Sequence, residues 1–143
     1  MKAFLYYSHT GTGEKIAEYL KNKGYEPIKI ETEAKLPKKF FFLMMKGGFI
    51  SGIHKRYPYK EVDLSKYDEV VFGTPIWNSA IAAPFNKVLD DHKEKGKKVI
   101  LYSGGGKVKK AVKYLNEKYG LKEVYSIVSS KNIEEELQKL EDF

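Results

Sequence analysis

Three short stretches hold residues whose types and spacing suit an anion and a flat ring. In the first, Ser8-His9-Thr10-Gly11-Thr12-Gly13 stands between the apolar run 3–7 and a helical pattern that begins at Glu14. A strand that enters a hydroxyl- and glycine-rich turn and then a helix makes a phosphate cradle. The first amide N–H groups of the helix lack intrahelical partners, and the helix dipole adds partial positive charge there. Gly11 and Gly13 permit unusual backbone angles and close approach of the main chain, while Ser8, Thr10 and Thr12 supply hydroxyl donors. His9 falls beside the phosphate, at the edge of the ring, or toward solvent as a filler of the loop. The turn lacks the Gly-Lys-Ser/Thr ending of an NTPase phosphate loop, and Ile16 stands where a dinucleotide fingerprint carries its third glycine. The expectation is a monophosphate read by hydroxyls and backbone; the plainer alternative is an ordinary turn capped by serine or threonine.

The second stretch, Gly73-Thr74-Pro75-Ile76-Trp77-Asn78, contains the only tryptophan. Trp77 suits a stacking platform for a flat ring, or a half-buried anchor for the helix that follows. The third, Ser103-Gly104-Gly105-Gly106, presents bare backbone, which fits the polar edge of a broad ring or a mobile connection.

These stretches need elements to hold them. The sequence predicts helices over 14–22, 83–95, 108–119 and 133–140, and strands over 3–7, 27–31, 69–73, 99–102 and 124–128. Pro27 marks its strand as an edge, where a missing N–H is tolerated. Strands alternating with helices point to an α/β fold with one parallel sheet and right-handed crossovers, a single domain over 1–143. In such sheets ligands bind outside the carboxyl ends of the strands, where the strand order reverses. With order 2-1-3-4-5, strands 1 and 3 flank that reversal, and the first two stretches face one crevice.

Segment 37–54 is the irregular one. Phe41, Met45, Phe49 and Ile53 recur at near-helical spacing, yet Phe40, Phe42, Leu43, Met44 and Ile50 make it apolar nearly all round, and Gly47, Gly48 and Gly52 weaken a long helix. It reads as a second helix packed on the sheet; a surplus of Phe and Met would form a surface for a partner, a quinone-like substrate or a second subunit.

The order of residues also resembles a known family. Ser8-x-Thr10-Gly11-x-x-Glu14-x-x-Ala17 is similar to the phosphate loop of flavodoxins, which holds the monophosphate of FMN. Gly13 departs from it, since that family usually has threonine there. Gly73 to Asn78 followed by Ala83-Pro84 resembles the second flavin loop, where tryptophan lies against the isoalloxazine, and 103–106 occupies the place of the third. The resemblance covers the whole chain, least well at 37–54. It implies a flavodoxin-like three-layer sandwich with FMN as cofactor, the phosphate on the loop after strand 1 and the ring between the loops after strands 3 and 4. The cofactor contacts it implies are Ser8, His9, Thr10, Gly11, Thr12, Gly13, Thr74, Pro75, Ile76, Trp77, Asn78, Ser103, Gly104, Gly105 and Gly106.

Composition narrows the function. The chain has no cysteine, so thiol catalysis, thiolate metal sites and disulfides drop out. His54 and His92 stand apart with no ligand spacing, and no Ser-His-Asp set gathers at the strand ends, so neither a metal site nor catalytic residues are expected. The net charge is +7, but Arg56 is the only arginine and the lysines are interleaved with glutamate, which disfavours nucleic acid as partner. That charge points instead to an acidic redox partner. The absence of a signal peptide and of a long apolar run suggests a cytoplasmic protein with no transmembrane segment. An FMN-binding electron carrier is the first reading. An FMN-dependent reductase or oxidase acting on a quinone or tetrapyrrole, using the apolar segment 37–54, is the second. A phosphoacceptor receiver domain of the same fold is rejected, because the ends of strands 1 and 3 read Ser8-His9 and Gly73-Thr74 where it needs acids.

Overall fold

A computed structural model describes every residue except Lys38 and Gly106, and every side chain except those of Phe40, Phe41 and Met44 as well. Strand β1 (Lys2–Tyr6) leads into helix α1 (Thr12–Lys21), β2 (Tyr25–Lys29) and α2 (Phe40–Gly52). The chain continues through β3 (Glu69–Trp77), the short β4 (Ala80–Ile81), α3 (Ala83–His92) and β5 (Gly96–Ser103). It ends with α4 (Lys109–Tyr119), β6 (Glu123–Val128), α5 (Ile133–Leu137) and a 3-10 turn, Gln138–Leu140.

The five long strands are parallel in the order β2-β1-β3-β5-β6, and β4 pairs only with β3, antiparallel. With that hairpin arm set aside, this is the 2-1-3-4-5 order expected from the sequence. β2 is indeed an edge strand, so Pro27 costs the ladder no hydrogen bond on its open side.

Side chains alternate across the sheet and divide the core in two. Ala3, Leu5 and Tyr7 point to one face, where they pack with Leu43 of α2, Phe85 and Leu89 of α3 and Leu115 of α4. Phe4 and Tyr6 point to the other, against Ile16, Ala17 and Leu20 of α1 and Leu140 of the terminal turn. Helices on both faces of a parallel sheet make the three layers, and the strands between them read as near-continuous apolar runs for that reason. Among the described residues no helix is long and apolar enough to cross a membrane.

One expectation needs adjusting. β3 does not stop at Gly73 but runs on to Trp77, because residues 74–77 still pair with β5 on one side or with β4 on the other. Asn78 and Ser79, with φ of 53° and 59°, form the two-residue turn between β3 and β4. Two positive φ values in succession mark the type I′ geometry whose twist matches its strands. The stretch read as a loop is thus a hairpin.

Within the apolar segment, Phe40–Gly52 form α2, and its glycines have a purpose that helix propensity hides. A Cβ on Gly47 would come within 3.0 Å of the Trp77 ring, and one on Gly52 within 2.7 Å of Asn78 Nδ2. They let α2 lie directly on the hairpin. Asn78 Nδ2 donates to the Gly48 carbonyl (3.2 Å), and the buried Ser51 Oγ accepts from the Ala83 N–H (2.9 Å), satisfying one unpaired N–H in the first turn of α3. Away from the hairpin, Phe42, Met45, Phe49 and Ile53 are each more than half exposed.

Candidate functional site

The loops after β1, β3 and β5 meet at the carboxyl end of the sheet, around a crevice of about 400 Å³. Its walls include Thr10 and Thr12 from the first, Pro75, Ile76, Trp77 and Asn78 from the second, and Ser103, Gly104 and Gly105 from the third. A larger hollow of about 780 Å³, lined by residues of 62–65 and 90–95, lies at the amino ends of β3 and β5. Strand carboxyl ends, where the chain order reverses, are where parallel α/β sheets bind ligands, so the smaller crevice is the candidate site.

In the first loop, Gly11 holds a φ of 99°, a left-handed value that a side chain resists, with open space around it. Gly13 is glycine for another reason. A Cβ there would stand 2.6 Å from Ser8 Cβ and 2.9 Å from Tyr6 Cδ2. The buried Ser8 accepts from the Gly13 N–H (3.2 Å) and donates to Glu14 Oε2 (2.7 Å). Its hydroxyl is used inside the loop, not offered to an anion. The donors left are the hydroxyls of Thr10 and Thr12 and the N–H groups of Thr10, Gly11 and Thr12, for which no described residue supplies an acceptor. The Glu14 carboxylate, whose charge would oppose an anion, is paired with Lys29. Burial raises its pKa, but hydrogen bonds from Lys29 and Ser8 more than reverse this and hold it below the usual glutamate value.

His9 is half-buried at the edge of the loop. Its Nε2 donates to the Pro37 carbonyl (3.1 Å), and its ring meets Trp77 edge-on at 6.3 Å. Trp77 is 5 % exposed, with Tyr7 edge-on at 5.9 Å and Gly47 of α2 against it. It is a packed anchor whose remaining edge forms crevice wall. Thr74 is fully buried and its hydroxyl donates to the Pro75 carbonyl (3.1 Å), so it supports the wall from behind. Ser8, His9, Gly13 and Thr74 therefore support the crevice from behind its walls, Gly11 brings only its backbone N–H to it, and Gly106 lies outside the described residues.

Five lining residues escaped the sequence reading: Leu43, Ser79, Tyr102, Lys107 and Ser129. Lys107 follows the glycine run, and Ser129 follows β6, the next parallel strand to end on this side; both positions carried a readable signal. Leu43 could not be placed without knowing how α2 docks. The buried Tyr102 hydroxyl donates to the Tyr7 carbonyl, and burial raises its pKa well above 10, so it stays a neutral donor.

Among solved structures, a flavoprotein from Lactobacillus acidophilus NCFM in complex with FMN matches with a TM-score of 0.70 and 22% identity, over 96% of each chain. A proposed flavoprotein from Bacteroides eggerthii DSM 20697 matches with a TM-score of 0.75 and 21% identity, over 99% of this chain and 95% of that one. Another from Bacteroides uniformis ATCC 8492 matches with a TM-score of 0.74 and 21% identity, over 98% and 97%. The fold is flavodoxin-like. At such identities the likeness is one of fold alone. No protein-family model and no curated protein matches the chain.

Proposed function

We propose that the chain binds FMN and works as an electron-transfer protein of flavodoxin type. The observation that carries this reading is the convergence of three loops on one crevice at the strand-order reversal, with free donors at one end and an aromatic wall beside it. A structural neighbour of the same fold is an FMN complex, which favours this cofactor over other monophosphates. The residues fit the group. Thr10, Thr12 and the N–H groups of residues 10–12 would hold the phosphate. Trp77, Pro75 and Ile76 would flank the ring, and Ser103 to Gly105 would meet its polar edge. FMN, when bound, supplies the redox chemistry; the protein binds and orients it and sets the surrounding charge.

The partner this reading calls for is an acidic redox protein. Residues 34–60 carry Lys35, Lys38, Lys39, Lys46, Lys55, Arg56 and Lys60 and no Asp or Glu. The second reading, a reductase or oxidase of a quinone or tetrapyrrole, is favoured by one observation, the exposed stripe Phe42, Met45, Phe49 and Ile53 on the helix that touches Trp77. The same stripe would serve a second subunit. Mass analysis of the flavin released on denaturing the purified protein tests the cofactor: FMN is expected, and finding FAD or no flavin would overturn it. A substrate assay with quinones then separates carrier from enzyme.

A further inference from the structure

A second pocket opens beside the crevice. It has a volume of about 270 Å³ and is lined by Gly52, His54, Asn78, Ser79, Lys110 and Tyr114, among others. Asn78 and Ser79 also line the crevice, so the two adjoin across the β3–β4 turn. A shallow recess formed by Ser79 and residues 107–110 joins them along the rim.

Neither pocket, recess nor crevice has a carboxylate among its described walls, while Lys107, Lys109 and Lys110 stand there without an ion pair to any described residue. His54 stacks on Tyr114 with ring centroids 4.4 Å apart, and its Nδ1 is buried with no described group to bond. Burial, then the charges of Arg56 and Lys118, lower the His54 pKa, which keeps the ring neutral near pH 7 and able to donate one hydrogen bond.

The backbone adds a second line. Among the described residues only three non-glycines have positive φ, namely His54, Asn78 and Ser79, and all three line this pocket. His54 follows α2 at the position where Lys55 N–H bonds the Ile50 carbonyl and His54 N–H the Ser51 carbonyl, a closure that favours glycine. Ser79 takes the second turn position, where glycine is also preferred. Side chains kept at positions suited to glycine point to a use for those side chains.

We propose that this pocket binds the oxyanion, carboxylate or phosphate, of a small-molecule ligand, held by Lys110, Ser79 and His54 alongside the crevice. Its use as the anchor of a redox substrate rests on the FMN reading; the oxyanion site itself does not.

The test is residue-resolved NMR of the protein as purified, titrated separately with inorganic phosphate and with benzoate. Saturable shifts are expected at the amides of Ser79, Lys110 and Ala111 and at the His54 ring. Signals of residues 10–14 report the first loop independently, so a failure of the FMN reading leaves this result legible. His54→Gly, which suits the left-handed backbone and so folds, and Lys110→Glu should each weaken binding about tenfold, the loss of one charge-assisted or buried hydrogen bond. A response to one anion alone identifies the oxyanion as carboxylate or phosphate. Unmoved signals with both anions, or unchanged affinity in His54→Gly, would overturn the proposal.

Discussion

Substituting Gly13 by alanine sets two effects of opposite sign against each other. Gly13 lies in α1, and glycine in a helix costs about 1 kcal/mol relative to alanine, so propensity alone predicts stabilisation by that amount. The structure predicts the reverse. The added methyl would meet Ser8 Cβ at 2.6 Å and Tyr6 Cδ2 at 2.9 Å, distances that real Cβ atoms do not tolerate. Ser8 Cβ lies next to the backbone and cannot swing aside, so the loop or α1 must move, an overpacking strain of about 1–3 kcal/mol. The movement also loosens the Gly13 N–H bond to Ser8 Oγ, worth about 1 kcal/mol. The sum is a net loss of about 1–3 kcal/mol, read as a lower guanidinium chloride midpoint. The threonine that flavodoxins place here should do worse, which accounts for the departure of this chain from their loop. Introducing Ser8→Gly together with Gly13→Ala should recover part of the loss, giving a coupling energy of about 1 kcal/mol in a double-mutant cycle. If Gly13→Ala alone raised stability by the propensity amount, the tight contact between Ser8 and α1 would be refuted, and with it the assignment of the Ser8 hydroxyl to the loop interior.

Thr10→Val with Thr12→Val should weaken FMN far more than riboflavin, by about 1–3 kcal/mol in isothermal titration, and an equal loss for both ligands would mean that these hydroxyls hold no phosphate. Glu14 has a folded pKa below its unfolded value of 4.5, so its contribution to stability is present above pH ~4.5 and is lost as pH falls through the folded value. Glu14→Gln should therefore flatten the acid limb of a stability–pH curve while changing little of its shape near neutrality. Electron transfer to an acidic carrier should slow as salt rises from low ionic strength, because charges more than about 8–10 Å apart become screened at physiological salt. A stopped-flow rate that is flat in salt, or faster transfer to a basic carrier, would reduce the +7 charge to a matter of solubility.

Much of the fold was legible because it depends on local pattern. The apolar runs at 3–7, 69–73 and 99–102 read as buried strands, the spacing of Ile16, Ala17 and Leu20 read as one helix face, and Gly24, with its φ of 91°, stopped that helix as the sequence implied. The three candidate loops were legible for the same reason, since each follows a strand. Contacts between distant segments were not. Gly47, Gly48 and Gly52 looked like weaknesses in a helix until α2 was seen lying on Trp77 and Asn78. That Tyr7, His9 and Gly47 pack around Trp77 and leave only one edge of it in the crevice wall could not be read from spacing, nor could the hydrogen bond that the Ser8 hydroxyl donates to Glu14, six residues on. Nor could spacing place His54, Ser79 and Lys110 around one pocket, because they come from the end of α2, a hairpin turn and the start of α4. Periodicity reports which face of an element is buried; what lies against that face is decided by packing between segments far apart in the chain, and here that packing decides which hydroxyls, rings and charges remain free to bind.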